Sequence, residues 1–374
     1  MIRRLFAALA IALPLPLLAA LPVPPGVEAR SYILFDAQSG QTLAAGNAEL
    51  RIEPASLTKL MTAYLTFKAL REGQLRPEQM LTVSREAQSR EGSRMFVDSR
   101  VPVSVDDLIK GVIVQSGNDA CVVLAEALAG SEEAFVQLMN REAQRLGLTN
   151  TQYRDSTGLT GEGQYTTAAD LVKLSQAIIR DFPEHYSIYS MKSFSYNNIS
   201  QDNRNLLLYR DANVDGLKTG HTSTAGYNLV ASSKRDGRRL ISVVTGTSSM
   251  EARARESAKL LNWGATAWET PRLFSAGQEL RQLPVYKGKQ AQARIGIEAE
   301  HYLSIPRGTA AELVQEVTLA PHLVAPLAAG QPVGSLRVRH GDTVLGEYPL
   351  AVLEEVPQGS WWRRLIDTIR LWFV

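Results

Sequence analysis

Short apolar, strand-like segments stand at both ends of the first 270 or so residues, and apolar positions recur at helical spacing between them. The stretch 31–36, Ser-Tyr-Ile-Leu-Phe-Asp, is β-rich and runs into a Ser39-Gly40 turn. Gln41 and Thr42 then lead into a second short strand, so a hairpin is predicted. After Pro54, placed where a first helical turn begins, Leu57, Leu60, Met61, Tyr64 and Leu65 recur at helical spacing. Further helical patterns cover 105–115, 118–128, 132–146 and 168–179, with Thr166, Thr167 and Asp170 marking the start of the last. The pattern returns to strands over 227–232 and 239–245, joined by a Lys-Arg-Asp-Gly turn that predicts antiparallel pairing, and a final helix follows over 252–268. Strands, many helices, strands and a helix make an α+β fold, an antiparallel sheet flanked by helices and built from both ends of the segment.

Beyond Pro271 the pattern changes to short alternating segments, such as 293–297, 314–319 and 335–338, separated by Gly and Pro. These predict a small all-β domain over 276–356, after a larger domain over 30–275. At the start, Arg3 and Arg4 precede an apolar run from Leu5 to about Ala20, the layout of a secretory signal peptide. Cleavage is expected near Ala20, with a site near Ala29 as the alternative. Pro14 and Pro16 interrupt the run, which speaks against a membrane span.

The last segment, 357–374, is read as an amphipathic helix. At helical pitch Trp361, Trp362, Leu365, Ile366, Ile369, Trp372 and Phe373 share one arc, while Arg363, Arg364, Asp367, Thr368 and Arg370 take the remainder, with Leu371 the exception. From Ser360 on, at ~1.5 Å per residue, it reaches about 22 Å, short of a hydrocarbon core of roughly 30 Å. It is therefore expected to lie on a membrane surface with its arginines toward anionic lipid. The competing expectation is a helix docked on the β domain.

At 374 residues, 45% hydrophobic and 21% charged, the chain is an ordinary two-domain globular protein, and a net charge of +2 predicts no nucleic-acid partner. A single cysteine, Cys121, rules out an intrachain disulfide and sits in an apolar helical pattern as a core residue. The five histidines have no metal-ligand spacing and no phosphate-binding glycine loop is present, so neither a metal nor another cofactor is expected.

Three short motifs carry the candidate chemistry. In Ser56-Leu57-Thr58-Lys59 the serine and lysine lie three apart on one helical face, where an amine of lowered pKa can take the hydroxyl proton. Ser116-Gly117-Asn118 interrupts two apolar helical stretches and puts a hydroxyl and an amide in a tight turn; its plainer reading is a helix connection with Asn118 as N-cap. Lys218-Thr219-Gly220-His221 follows a turn at Asp215-Gly216 and precedes the strand at Tyr227; its plainer reading is an edge strand. Each motif alone fits the plainer account.

In this order and layout the three motifs resemble the active site of the penicillin-recognising serine enzymes. With Ser-Gly-Asn in the middle and Glu53-Pro54-Ala55 before Ser56, the chain is similar to low-molecular-mass penicillin-binding proteins that are D-alanyl-D-alanine carboxypeptidases. The resemblance covers most of 30–270, including 115–121, Gly163-Gln164-Tyr165, Asn203-Arg204-Asn205 and 227–232. It implies an acyl-enzyme peptidase in which Ser56 attacks the bond between two D-alanines of a peptidoglycan pentapeptide, Lys59 is general base, Ser116 passes a proton and Asn118 holds the substrate amide. Lys218 adds positive charge beside Ser116, and the N–H groups of Ser56 and His221 form an oxyanion hole.

Thr219, Gly220 and His221 lie along the substrate, Arg253 (or its neighbour Arg255) attracts the terminal carboxylate, and Arg204 supports Lys218. The resemblance further implies covalent inhibition by β-lactams and a place on the periplasmic face of the inner membrane. Thr157 departs from the pattern, standing where better-known members carry a histidine before Gly-Leu. A β-lactamase, a D,D-endopeptidase and a non-catalytic wall-binding module are the alternatives. The first lacks an acidic motif for its water, and intact Ser56, Lys59, Asn118 and Lys218 count against the last.

Overall fold

The structure is a computed structural model that describes residues 21–159 and 161–373, so the expected signal segment over 1–20 lies outside the described residues. The chain divides into two compact units, Pro24–Arg272 with Tyr302–Ser304, and Leu273–His301 with the chain from Ile305 on.

In the first unit strands β1 (Ser31–Asp36) and β2 (Gln41–Gly46) come from the start of the chain, and β3 (Val214–Thr222), β4 (Gly226–Arg235) and β5 (Arg238–Thr247) from its end. They form one sheet in the order β2-β1-β5-β4-β3, antiparallel throughout, which is the α+β arrangement expected. Alternate residues of the central strands feed two different cores, since successive strand side chains point to opposite faces. Ile33, Val230, Ile241 and Val243 pack with the large helical cluster, while Leu34, Leu229, Ala231 and Val244 pack with Leu260 and Leu261. Helices on both faces explain why these strands read as continuous apolar runs rather than a strict alternation.

The helices are α1 (Lys59–Arg71), α2 (Asn118–Ala129), α3 (Glu132–Arg145), α4 (Ala168–Asp181) and α5 (Met250–Ala267), the last four within a residue or two of the expected spans. Helix α1 is buried almost all round, through Leu60, Met61, Tyr64 and Phe67 but also Thr62 and Thr66. Thr62 donates to Ser156 O at 2.6 Å and Thr66 to Thr62 O at 2.8 Å, which makes a central helix with few apolar faces acceptable.

Four local expectations need correction. Pro54 precedes a tight turn, Ala55–Thr58, that carries Ser56, and α1 proper begins only at Lys59. The pattern over 105–115 is an α-helix Val105–Lys110 that widens into a π turn, Gly111–Gln115. Gly117 rather than Asn118 is the N-cap of α2. Asp215-Gly216 is not a turn but a bulge inside β3. Among the elements not foreseen is a hairpin, Ser193–Tyr196/Ile199–Asp202, that turns on Asn197 and Asn198 at φ 50° and 57°, the left-handed backbone that asparagine tolerates.

The second unit is a six-stranded sheet made of β6 (Gln278–Tyr286), β7 (Gln292–Ile297), β8 (Leu313–Leu319), β9 (Leu323–Val324), β10 (Pro332–His340) and β11 (Thr343–Val352). Its order is β8-β10-β11-β7-β6-β9, with only the short β9 parallel to its neighbour. Helix α6 (Trp361–Arg370) follows. It meets the sheet with its polar side, where buried Asp367 accepts a hydrogen bond from Lys287 N at 2.7 Å. Trp361, Trp362, Leu365, Ile366, Ile369, Trp372 and Phe373 remain exposed.

The first unit is tied together at Asp36, which is fully buried at the end of β1. Its carboxylate accepts from Gln38 N and Ser39 N, Arg238 Nε at 2.7 Å, Thr270 Oγ1 at 2.6 Å and Ser304 Oγ at 3.1 Å. Removing the carboxylate leaves the Arg238 guanidinium without its counter-charge, so Asp36→Ala is expected to cost about 3–5 kcal/mol in chemical denaturation. A loss below about 1 kcal/mol contradicts that account.

Candidate active site

The site forms where the first turn of the helical region meets edge strand β3. Ser56 sits in the tight turn just after Ala55, a buried residue held at φ 49°, so a non-glycine residue in left-handed backbone immediately precedes the candidate nucleophile. The spacing of three brings Lys59 Nζ to 3.1 Å from Ser56 Oγ, and the same amine donates to Thr157 O at 2.6 Å. Lys59 is 1% exposed, and burial lowers its pKa from the usual lysine range. The thiol of Cys121, pushed up to about 12 by its own burial, is neutral near pH 7. Asp155 and Asp119 therefore supply the negative charge that opposes this lowering, while Arg204 reinforces it.

A second pair of the same kind stands beside the first. The π turn ends with Ser116 in left-handed backbone, φ 62°, which turns its hydroxyl to within 3.0 Å of Lys218 Nζ. Lys218 also donates to Thr219 O at 3.0 Å. Burial first, then the positive charges of Lys59, Arg204 and Arg253, hold Lys218 well below the usual range. Each buried ammonium disfavours the other, so the pair favours one neutral amine.

On β3, Lys218 runs inward while Thr219 and His221 line the cleft, as strand alternation requires. Gly220 lets the strand approach the nucleophile turn: a Cβ there would stand 3.1 Å from Pro54 O and 3.3 Å from Leu57 N. His221 stacks on Tyr227 with ring centroids 4.0 Å apart, and the Arg253 guanidinium lies 5.6 Å from the same Tyr227 ring. Arg253 donates to Gly220 O and Arg204 O, both at 3.2 Å, and burial beside Arg204 pushes its pKa down to about 10. Arg255, the alternative for that role, pairs instead with Glu28 and Glu256.

The cleft, of about 300 Å³, is lined by Ser56, Ser93, Ser116, Arg204, Thr219, Gly220, His221, Tyr227, Met250 and Arg253, none of them acidic. Two guanidiniums and no carboxylate suit an anionic ligand end such as a carboxylate. Among the described residues no group of three or more His, Cys, Asp or Glu could hold a metal ion.

Asn118, two residues beyond Ser116, is not among the lining residues; its Nδ2 donates to Glu91 O at 2.6 Å and its N to Ser93 O at 2.7 Å. Ser93 Oγ accepts from Arg204 at 2.7 Å, so one loop holds two candidate site residues. That loop is held by a residue the motif reading passed over. Asp119, 1% exposed, accepts from Met95 N at 2.9 Å, Phe96 N at 2.8 Å and Val97 N at 3.1 Å. A charged residue immediately before the apolar run 120–125 was the available signal. Ser93, Tyr227 and Met250, the remaining additions, carry no local signal because distant segments bring them to the cleft.

Comparison with known proteins follows the same lines. Residues 19–249 match the family model described as D-alanyl-D-alanine carboxypeptidase, and 268–358 match the penicillin-binding protein 5 C-terminal domain. D-alanyl-D-alanine carboxypeptidase DacA of Escherichia coli (strain K12) is 42% identical over 94% of this chain and 90% of its own length. The structure resembles that of penicillin binding protein 5 from Haemophilus influenzae with a TM-score of 0.87 at 42% identity, covering 90% of this chain and all of the other. It also resembles ampicillin-bound penicillin-binding protein D2 of Listeria monocytogenes, with a TM-score of 0.59 at 29% identity, over 64% of this chain and 98% of the other.

Asp119→Ala is expected to lower stability by about 3 kcal/mol, since it takes the carboxylate acceptor from the N–H groups of Met95, Phe96, Val97 and Ala120. Amide hydrogen exchange should accelerate over 93–97 well before the sheet exchanges. Unchanged protection there would show that Asp119 does not hold the loop.

Proposed function

The chain belongs to the D-alanyl-D-alanine carboxypeptidase family, serine peptidases that form an acyl-enzyme and bind penicillin covalently, and on that premise we propose that Ser56 is its nucleophile and Lys59 its general base. The observation that carries this is the doubled Ser–Lys arrangement, Ser56 with Lys59 at 3.1 Å and Ser116 with Lys218 at 3.0 Å, in a cleft without an acid.

Ser56 Oγ bonds to the carbonyl carbon between the last two D-alanines of a peptidoglycan stem pentapeptide as its proton moves to Lys59. The carbonyl electron pair moves onto oxygen, facing the N–H groups of Ser56 and His221. Ser116, kept polarised by Lys218, delivers a proton to the leaving nitrogen as the C–N bond breaks, and regains one from the Lys59 ammonium; D-alanine departs, and water then hydrolyses the ester, returning a proton to Ser56 Oγ. Arg253 and Thr219 receive the terminal carboxylate, Gly220 allows the strand to lie along the peptide, Asn118 holds the substrate amide and Arg204 steadies the cleft through Ser93. The absence of a carboxylate among the lining residues favours a peptidase over a β-lactamase, whose fast deacylation needs a base for water. A fluorescent penicillin is expected to label the protein at Ser56, and Ser56→Ala is expected to lose both the label and release of D-alanine from pentapeptide while remaining folded. Labelling that persists in the variant, or an unchanged pentapeptide with the unaltered protein, overturns the assignment.

The proposed location is the periplasmic face of the inner membrane. Removal of the leader near Ala20 rather than Ala29 is favoured by the segment between, because Lys259 donates to Gly26 O at 2.8 Å and Val27 and Ala29 pack against the core. Among the described residues no helix is long and apolar enough to cross a membrane. Surface attachment through α6 is supported by its outward apolar side chains, with Trp372 78% and Phe373 84% exposed. The full mature chain is expected to sediment with vesicles, and a chain truncated after Pro357 to stay in the supernatant with its peptidase activity intact. Equal partitioning of the two removes α6 as the anchor.

A further inference from the structure

The loop carrying the carbonyl that meets Lys59 is bound from several directions. Asp155 Oδ1 accepts from Thr157 N at 2.6 Å, Thr157 Oγ1 at 2.9 Å and Gly158 N at 2.5 Å, closing a tight turn around the peptide unit that follows Thr157. Gln164 holds the preceding residues, its Oε1 accepting from Arg154 N at 2.7 Å and Asp155 N at 3.1 Å. The turn lies directly on the nucleophile segment: Gly158 is at φ 85°, and a Cβ there would stand 1.7 Å from Ala55 O. Thr157 is fully buried, with its hydroxyl spent on Asp155 and on Leu159 N at 3.1 Å, so the side chain at this position is turned away from the cleft and only its carbonyl reaches the amine.

The geometry points to Asp155 as a positioning residue for the general base: by fixing the Thr157 carbonyl against Lys59 Nζ it aims the amine at Ser56, and its charge sets the pH at which that amine becomes free. This rests on the proposed role of Lys59. The carbonyl takes one of the amine's hydrogens, leaving the nitrogen lone pair oriented for the Ser56 proton 3.1 Å away. The groups facing Lys59 are Cys121 and Asp119 from α2, Lys218 from β3, Arg204 and Asp155. Cys121 is neutral near pH 7, and Asp119 is held by four backbone N–H groups. Asp155 is therefore the acid that can be neutralised without dismantling α2. It stabilises the ammonium form, so its loss moves the titration of Lys59 downward.

The test is the second-order rate constant for Ser56 acylation by a chromogenic cephalosporin, measured against pH for the unaltered protein, Asp155→Asn and Asp155→Ala. Asp155→Asn keeps an oxygen for the two N–H groups and is expected to stay within about threefold of the unaltered rate at its plateau, with the rising limb of the profile shifted to lower pH. Asp155→Ala is expected to lose on the order of tenfold to a hundredfold at the plateau, through a misaimed base. A residue that only stabilises the loop would scale the profile without moving it. Superposable profiles for Asp155→Asn and the unaltered protein, or a folded Asp155→Ala that acylates at the unaltered rate, overturn the inference. If Asp155→Ala does not fold, the Asp155→Asn profile decides alone. Failure of the unaltered protein to acylate at Ser56 would instead sink the role given to Lys59.

Discussion

An amine withdrawn from water is easier to keep neutral than charged, and Lys59 and Lys218, 1% and 3% exposed, are both withdrawn. Most of the site follows from that constraint. A solvated lysine beside a serine would be an ammonium at neutral pH and could not take a proton from it. Here burial supplies the shift and a second cation deepens it, while Asp119 and Asp155 keep it from running so far that the amine loses its basicity. The cost of two buried amines is limited by acceptors placed for each, Thr157 O and Ser56 Oγ for one, Ser116 Oγ and Thr219 O for the other.

The fold's task is then to bring four distant segments to within 3 Å or so of one another. The sheet does this by closing with its edge rather than its middle. Strand β3 has β4 on one side only, and its free side meets the nucleophile turn, which is why Gly220 must be small and why an otherwise interior strand carries a lysine. On the far side, left-handed Ala55 opens the tight turn that carries Ser56, and left-handed Ser116 closes the π turn, so that both serine hydroxyls face the strand. Such backbone persists only where packing over-determines it, and both residues are almost wholly buried.

This division of labour explains what could be read from the chain alone. Helices α2 to α5 have strong periodicity and their bounds were legible to within two residues, while the central strands were legible as apolar runs to within three. Ser56, Lys59, Ser116, Asn118 and Lys218 stand out in the chain because three spaced motifs resemble a known set, and the structure puts Ser56 and Ser116 on one cleft, each bonded to its lysine. The groups that hold them were not. Asp119 and Asp155 act through backbone N–H groups that only the folded turn presents, and nothing in Arg-Asp-Ser-Thr-Gly at 154–158 marks its aspartate as facing a lysine almost a hundred residues away. The π turn before Ser116 was likewise hidden, since its apolar pattern matches an ordinary helix until the wider hydrogen bonding shifts the last residue.

The tail shows the same logic at a surface. The periodicity of 360–374 predicted an amphipathic helix, and two placements competed, docked on the β domain or lying on a membrane. In the structure the helix docks on the β domain with its polar side and leaves its apolar arc exposed. A single buried carboxylate, Asp367, bonds to the backbone of Lys287 and ion-pairs with Arg370 at 3.4 Å, which fixes the rotation of the helix about its axis. Burial of that one polar residue is what turns the aromatic and aliphatic arc outward. Were the apolar arc the docked side, the exposed tryptophans would be inside and no surface would remain for lipid. An amphipathic helix held by its hydrophilic edge has its hydrophobic face free before any membrane is met, so little ordering of that segment is left to offset the gain from burying it.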